Sequence, residues 1–405
     1  METSMLVQPA AGQRSAAARR AVLLAAALLL AMVAPAQTIY GLGTVAGSNV
    51  QGAPVGQQAL ITIDATTGAS LNLTPTAITG VTPGQTLVGI DFRPADNVLY
   101  GLGYDAATAG NNAQLYVLNT TTNVATPVSG AIRLELGGTG ERIGFDFNPV
   151  ADLIRVVSTS DANYRLSPAT GALAGTDANL NYAGGTPADP GVGTVAYTNS
   201  FAGSPSTTLY GLDYLNNGLL STLALPNSGA MTTQSTVMFV IPSGPSAGTY
   251  GIGTPHDLEL DIYYDATANT TAGYLTEVTD LRPNGTRASN LYRLDLATGI
   301  ATLLGNTVPA STLLNFEIRD LAVAIPSSAP LTWNGNTSSD WDTAANWTPS
   351  LVPTALNNVT IPGGTPHQPS VAKTQRARNL SLNTGAVLSL TTGSSLNVGN
   401  PLLNP

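Results

Sequence analysis

Gly144-Phe145-Asp146-Phe147-Asn148-Pro149, continuing to Asn163-Tyr164-Arg165-Leu166 and Ala169-Thr170-Gly171, is one copy of a unit that recurs along most of this chain. An apolar strand carries an Asp, a turn follows, and two further short strands end in a Thr-Gly turn. Leu99-Tyr100-Gly101-Leu102 leads in the same way to Leu115-Tyr116-Val117-Leu118, and Leu209-Tyr210-Gly211-Leu212 to Leu219-Leu220-Ser221-Thr222. Gly273-Tyr274-Leu275 leads to Leu291-Tyr292-Arg293-Leu294 and the turn Ala297-Thr298-Gly299. The turns fall on Gly and Asn, which tolerate positive φ. β-branched and aromatic runs separated by such turns, with no sustained helical period, predict an all-β fold.

Spacing sharpens this. Gly89 and Gly144 are 55 residues apart, and Gly144 and Ala196 are 52 apart, which suits the blades of a propeller. Each strand pair is preceded by a leading strand: Leu87 to Phe92, Ile143 to Phe147, Val195 to Thr198 and Leu258 to Tyr263. The first unit, at Tyr40-Gly41-Leu42 and Leu60 to Asp64, lacks one. The missing strand stands at the far end, in Phe316 to Val323. The expectation is a closed β-propeller of about five four-stranded blades, the N- and C-terminal strands sharing one blade, which removes an exposed sheet edge. A β-sandwich pair or a right-handed β-helix is the alternative.

The ends of the chain read differently. Arg14, Arg19 and Arg20 precede the apolar run Ala21 to Val33 and then Ala34-Pro35-Ala36. That is the pattern of a secretory signal peptide over residues 1–36, cut after Ala36, since the run is too short to cross a bilayer. Residues 37–325 form the propeller, and 326–331 read as a small, Pro-punctuated linker. Residues 332–405 hold all three tryptophans, then alternating runs such as Leu380-Ser381-Leu382 and Leu396-Asn397-Val398, as in a short β-solenoid. Stopping at Pro405, that segment reads as the start of a longer repeat.

Composition excludes several chemistries. Only 10% of the residues are charged and the net charge is −9, a poor match for nucleic acid. There is no Cys, so disulfides, thiolate metal sites and a Cys nucleophile are absent. His256 and His367 are the only histidines, too few for a multi-His metal site. No later stretch is long and apolar enough for a transmembrane helix. Gly244-Pro245-Ser246-Ala247-Gly248 matches the nucleophile-elbow spelling but lacks the strand-turn-helix context that gives it meaning.

Several words in order resemble one family. Gly144-Phe145-Asp146-Phe147-Asn148-Pro149-Val150-Ala151-Asp152, Arg155-Val156-Val157-Ser158, Asn163-Tyr164-Arg165-Leu166, Ala196-Tyr197-Thr198-Asn199, Thr208-Leu209-Tyr210 and Pro226-Asn227-Ser228-Gly229 resemble domain of unknown function 4394. The resemblance implies a secreted bacterial propeller-like domain and carries no assigned activity. The segment from Thr332-Trp333 to Ile361-Pro362 resembles the opening of solenoid repeats in bacterial adhesin-like surface proteins.

The candidate site is a ring. Asp91, Asp146, Asp261 and Asp320 stand near one register of the leading strands, with Tyr197 in the fourth unit. Facing the central channel, they could bind Ca²⁺, sugar hydroxyls, or a glycosidic bond between paired carboxylates. Equally, each Asp can bond backbone amides beside its strand, and repetition in nearly every blade favours that structural reading. Arg93, Arg142, Arg155, Arg165 and Arg319 are expected to pair with those carboxylates across blades. Tyr100, Tyr116, Tyr210 and Tyr292 are expected in the core between blades, and the tryptophans in the first solenoid rung or on a sugar-binding face. The sequence therefore points to a secreted or cell-surface bacterial protein with a non-catalytic binding or structural propeller. Its expected partner is an extracellular glycan or surface protein. The alternative is an extracellular hydrolase acting on glycans through channel carboxylates.

Overall fold

The computed structural model describes residues 37–45, 53–72, 74–185, 187, 189–244, 247–251, 257–265, 270–279, 288–307, 316–325 and 329–399. The segment 1–36, His256, the centre of the Gly244–Gly248 motif, residues 326–328 of the linker and Pro405 lie outside them. Within them the chain is almost wholly β, in a five-bladed propeller arrangement.

Local chemistry makes the hairpins. Asp64, Asn119, Asn148 and Asp295 each end or directly follow a strand and accept N–H bonds from the two residues at i+2 and i+3. The residue at i+4, Gly68, Asn123, Asp152 or Gly299, takes positive φ and turns the chain back. Antiparallel ladders then build outwards from each leading strand.

Blade 1 joins the two ends of the propeller: Thr38–Val45 pairs on one side with Gln58–Asp64 and on the other with Phe316–Val323, as expected. Blade 2 runs Thr86–Phe92, Leu99–Tyr104, Ala113–Leu118 and Ala125–Pro127. Blade 3 runs Ile143–Asn148, Leu153–Ser158, Asn163–Leu166 and Leu173–Thr176. Blade 4 starts at Val192–Tyr197 and blade 5 at Asp257–Asp265. The blades are not uniformly four-stranded. Blade 1 has three strands, while blade 4 gains Asn181–Tyr182 and blade 5 gains Met238–Ile241 and Gly248–Gly251. The additions join through parallel pairs, Asn181 beside Ala230 and Met238 beside Ile300. Connecting segments thus cover outer edges that would otherwise present free backbone groups.

The core lies between blades rather than along a common axis. Five apolar clusters occupy the five junctions, for example Leu134, Phe145, Phe147 and Leu102 between blades 2 and 3. Leu212, Phe239, Leu260 and Tyr292 fill the junction of blades 4 and 5. Tyr100, Tyr116 and Tyr292 are buried and Tyr210 half-buried in these clusters, where inter-blade core was expected.

Residues 329–399 form three sets of parallel pairs. Leu331–Trp333 lies beside Asn358–Ile361, which lies beside Asn379–Leu382. Ser370–Val371 pairs with Ser389–Leu390, and Thr374–Ala377 with Ser395–Val398. Trp333, Trp341 and Trp347 stack edge to face at 4.9 and 4.8 Å and are almost fully buried. They serve as core and offer no face to a sugar. Leu356 packs with Phe201 and Tyr264 of blades 4 and 5.

Candidate functional site

The inner strands place the predicted ring, with a change of register. In each blade the second strand carries an equivalent residue: Tyr40, Tyr100, Arg155, Tyr210 and Tyr274. Directly opposite stand Ala322, Asp91, Asp146, Ala196 and Asp261. Three of the expected Asp residues therefore share one level, and one oxygen from each of Asp91, Asp146 and Asp261 lies within 4.8 Å of the others. Asp320 does not join them. It sits two residues earlier, opposite Leu42, on a second level with Glu259 and Thr194. Tyr197 is not at the ring either, because Ala196 holds that position. Period-two strands send adjacent side chains to opposite faces, and the Tyr197 hydroxyl accepts from Arg155 Nε at 3.4 Å.

These buried side chains make one clasp at every junction. Phe147 N–H of blade 3 donates to Asp91 of blade 2 at 2.8 Å, and Tyr197 N–H of blade 4 to Asp146 of blade 3 at 2.9 Å. Val323 N–H of blade 1 donates to Asp261 of blade 5 at 2.5 Å. Blades 1 and 4 have Ala at the first level, and there the second level takes over. Ile90 N–H donates to Asp320 at 2.6 Å, and Leu260 N–H to Thr194 Oγ1 at 3.0 Å. Asp91, Asp261 and Asp320 also accept the N–H of the residue that follows each of them. Gly89 makes room for this: a Cβ there would fall inside the contact distance of Phe145 and 3.3 Å from the Asp320 carboxylate.

Burial strains the electrostatics of these groups. All four Asp residues are about 5% exposed or less. Burial, then the charge of Asp261, pushes the Asp91 pKa well above the ordinary carboxylate value, against the pull of its N–H donors. Asp146 is pushed up by burial and by Asp91 and Asp261, and Asp320 by burial and Glu259. Asp261 rises to about 6 through burial, while the Val323 and Ile262 amides hold it down. Glu259 rises to about 8 through burial, with Arg142 and Arg319 acting the other way. The ring therefore keeps its protons to higher pH than exposed carboxylates do.

The arginines reach partners other than the four ring aspartates, Glu259 of the second level among them. Arg93 crosses from blade 2 to Asp152 of blade 3 at 2.5 Å and also binds Asp96. Arg142 lies 3.9 Å from Glu259 and Arg319 2.9 Å from Glu317. Arg155 faces Asp146 in register, yet its length carries the guanidinium outwards to Asp177 at 2.5 Å, Asn163 at 2.7 Å and Asn227 at 2.7 Å. Arg165 grips the same Asp177 with Nε and Nη2, both at 2.8 Å. Burial works against the Asp177 charge, but bonds from Arg165 and Arg155 outweigh it and hold the pKa below the usual value. Arg155, Arg165 and Asn227 border a cavity of about 270 Å³ between blades 3 and 4, whose wall also includes Tyr197, Asn148, Leu153 and Leu225.

Sequence reasoning missed Thr194, Glu259, Asp177 and Asn227. Thr194 was legible in principle, since it stands two residues before an Ala at the ring position, as Asp320 does. Asp177 gave no signal, because it follows an exposed edge strand and its role depends on two folded neighbours.

These features define a five-bladed β-propeller whose inner strands are joined by buried polar side chains. Residues 59–322 match the family described as Domain of unknown function (DUF4394), and the chain belongs to that family. Residues 332–403 match a second, Domain of unknown function (DUF8693). Among solved structures, the Dos1 propeller is similar over 62% of this chain at 14% identity, with a TM-score of 0.29, and this chain spans 55% of that one. A putative 6-phosphogluconolactonase from Bacteroides fragilis is similar over 68% of this chain and 83% of its own, at 11% identity and a TM-score of 0.30. No curated protein sequence matches the chain. Among the described residues no helix is long and apolar enough to cross a membrane.

Proposed function

We propose that this is an exported bacterial surface or extracellular protein whose closed propeller is a non-catalytic binding module, carried on a solenoid-like, adhesin-like segment. The observation behind this reading is the use made of the ring. Every junction has one clasp, and in the fourth blade a hydroxyl replaces the carboxylate in that task. A catalytic pair is needed once, whereas a structural device is needed at each junction. The signal-peptide pattern before Gln37 supports export, and the parallel pairs after residue 329 support the solenoid reading.

In this reading, protons held to higher pH than usual relieve the charge of the first-level carboxylates. Asp91, Asp146 and Asp261 could also hold Ca²⁺, which takes six to eight oxygens, but all three already accept backbone N–H bonds. The test is a glycan panel incubated with the full chain and with its Asp91→Asn, Asp146→Asn, Asp261→Asn and Asp320→Asn variants, read for cleavage and for melting temperature. The expected result is no cleavage and a lowered melting temperature in all four. Cleavage abolished by one substitution at unchanged stability would establish the hydrolase instead.

A further inference from the structure

The cleft between blades 3 and 4 brings two guanidiniums to one carboxylate, in a protein that is otherwise acidic. We propose that it binds a small molecule bearing a single carboxylate on an apolar body. This deepens the binding-module reading by naming a ligand class.

Charge and donor geometry carry the argument. Asp177 takes bonds from both arginines and uses both of its oxygens in doing so. The cluster keeps one positive charge, deep in the fold, because Arg155 is 2% exposed. Arg155 is held by Tyr197, Asn163, Asp177 and Asn227. Arg165 engages Asp177 through Nε and Nη2, which leaves N–H donors of its planar fork for a further acceptor. Its side chain is 28% exposed on the cavity wall. A guanidinium fork matches a carboxylate in plane and spacing. One net positive charge fits a monoanion, and a phosphate dianion would leave negative charge in a low-dielectric site.

The remaining wall selects the body of the ligand. Leu153, Pro226 and Leu225 line the cavity, and Leu225 is 72% exposed although it is large and apolar. At about 270 Å³ the space suits a small molecule.

The experiment titrates the full chain with benzoate, hexanoate and glucuronate, and with benzamide and inorganic phosphate as controls. Calorimetry and thermal shift give the readout, at concentrations that would fill a millimolar site. Benzoate or hexanoate is expected to bind and stabilise, with benzamide and phosphate silent. Glucuronate binding more tightly than benzoate and hexanoate would overturn the apolar-body assignment. Arg165→Gln should weaken binding about tenfold or more. Leu225→Glu, at an exposed position where folding is safe, should weaken it too. Benzamide binding as well as benzoate, phosphate binding more tightly than every carboxylate, silence from all three carboxylates, or unchanged affinity in both variants would overturn the proposal. Chemical turnover of a bound carboxylate would keep the site and overturn the non-catalytic reading, whereas silence here leaves the ring reading intact.

Discussion

The ring and the cleft are both buried clusters of charged groups, and they differ in how completely the protein uses them. At the ring, each carboxylate accepts backbone amides of its own or the next blade. In the cleft, two guanidiniums share one carboxylate and keep donors in hand. The ring is also distributed over the blades, while the cleft draws its wall from blades 3 and 4. A repeated group whose bonds end on neighbouring backbone holds the fold together; a single cluster with capacity left over is where a ligand can be recognised.

The largest effect should come from truncating a clasp. Asp261→Ala and Asp91→Ala each orphan two buried N–H groups, at about 1–3 kcal/mol per group. Denaturant unfolding should show both variants less stable by about 2–4 kcal/mol. Arg165→Gln should lose less than about 1 kcal/mol, since its side chain is part-exposed. Equal losses at the two regions would erase the distinction between them.

A pH titration sharpens the same contrast. The folded chain holds the Asp261 and Glu259 protons more tightly than the unfolded chain does, with values near 6 and 8 against ordinary values of 3.8 and 4.5. Their contribution is full below about pH 4, where both states are protonated, and is lost as pH rises through about 6 and then about 8. The melting temperature should therefore fall between pH 5 and pH 9, by an amount reflecting on the order of a few kcal/mol. Asp261→Asn, which cannot ionise, should flatten the first part of that fall. A melting temperature that rises over this range would refute proton neutralisation of the ring.

The smallest expected effect is that of metal removal. EDTA should leave the melting temperature at pH 8 unchanged. A rise on adding Ca²⁺, abolished in Asp146→Asn, would put a cation in the place assigned to protons.

Much of this architecture could be read from the chain because propellers repeat. The Leu-Tyr strands, the Asx and Thr-Gly turns and the displaced strand Phe316–Val323 each express local chemistry or pattern, and the strand pairing follows them. Pattern failed where it depended on register. Tyr197 is expected with the aspartates as the fourth unit's member, yet Ala196 holds that position, and one residue in a strand reverses the face. Asp320 lay two residues off, which keeps the face and changes the level. The cleft was illegible for another reason. The sequence suggests that Arg155 pairs with a ring carboxylate across blades; it does stand opposite Asp146, but its long side chain reaches Asp177 and Asn227, whose positions only the folded outer strands define.

The most direct test of the clasp account is Thr194→Val, a nearly isosteric change at the junction that has no aspartate. Thr194 carries no charge, so the catalytic and cation readings of the ring give it no role. As a clasp it accepts Leu260 N–H at 3.0 Å in a fully buried position, and losing that bond should lower stability by about 1–3 kcal/mol. Thermal and denaturant unfolding should place Thr194→Val beside Asp146→Ala, with both clearly below the parent chain. A Thr194→Val variant that unfolds with the parent while Asp146→Ala is destabilised would contradict the account and return the ring to its carboxylates alone.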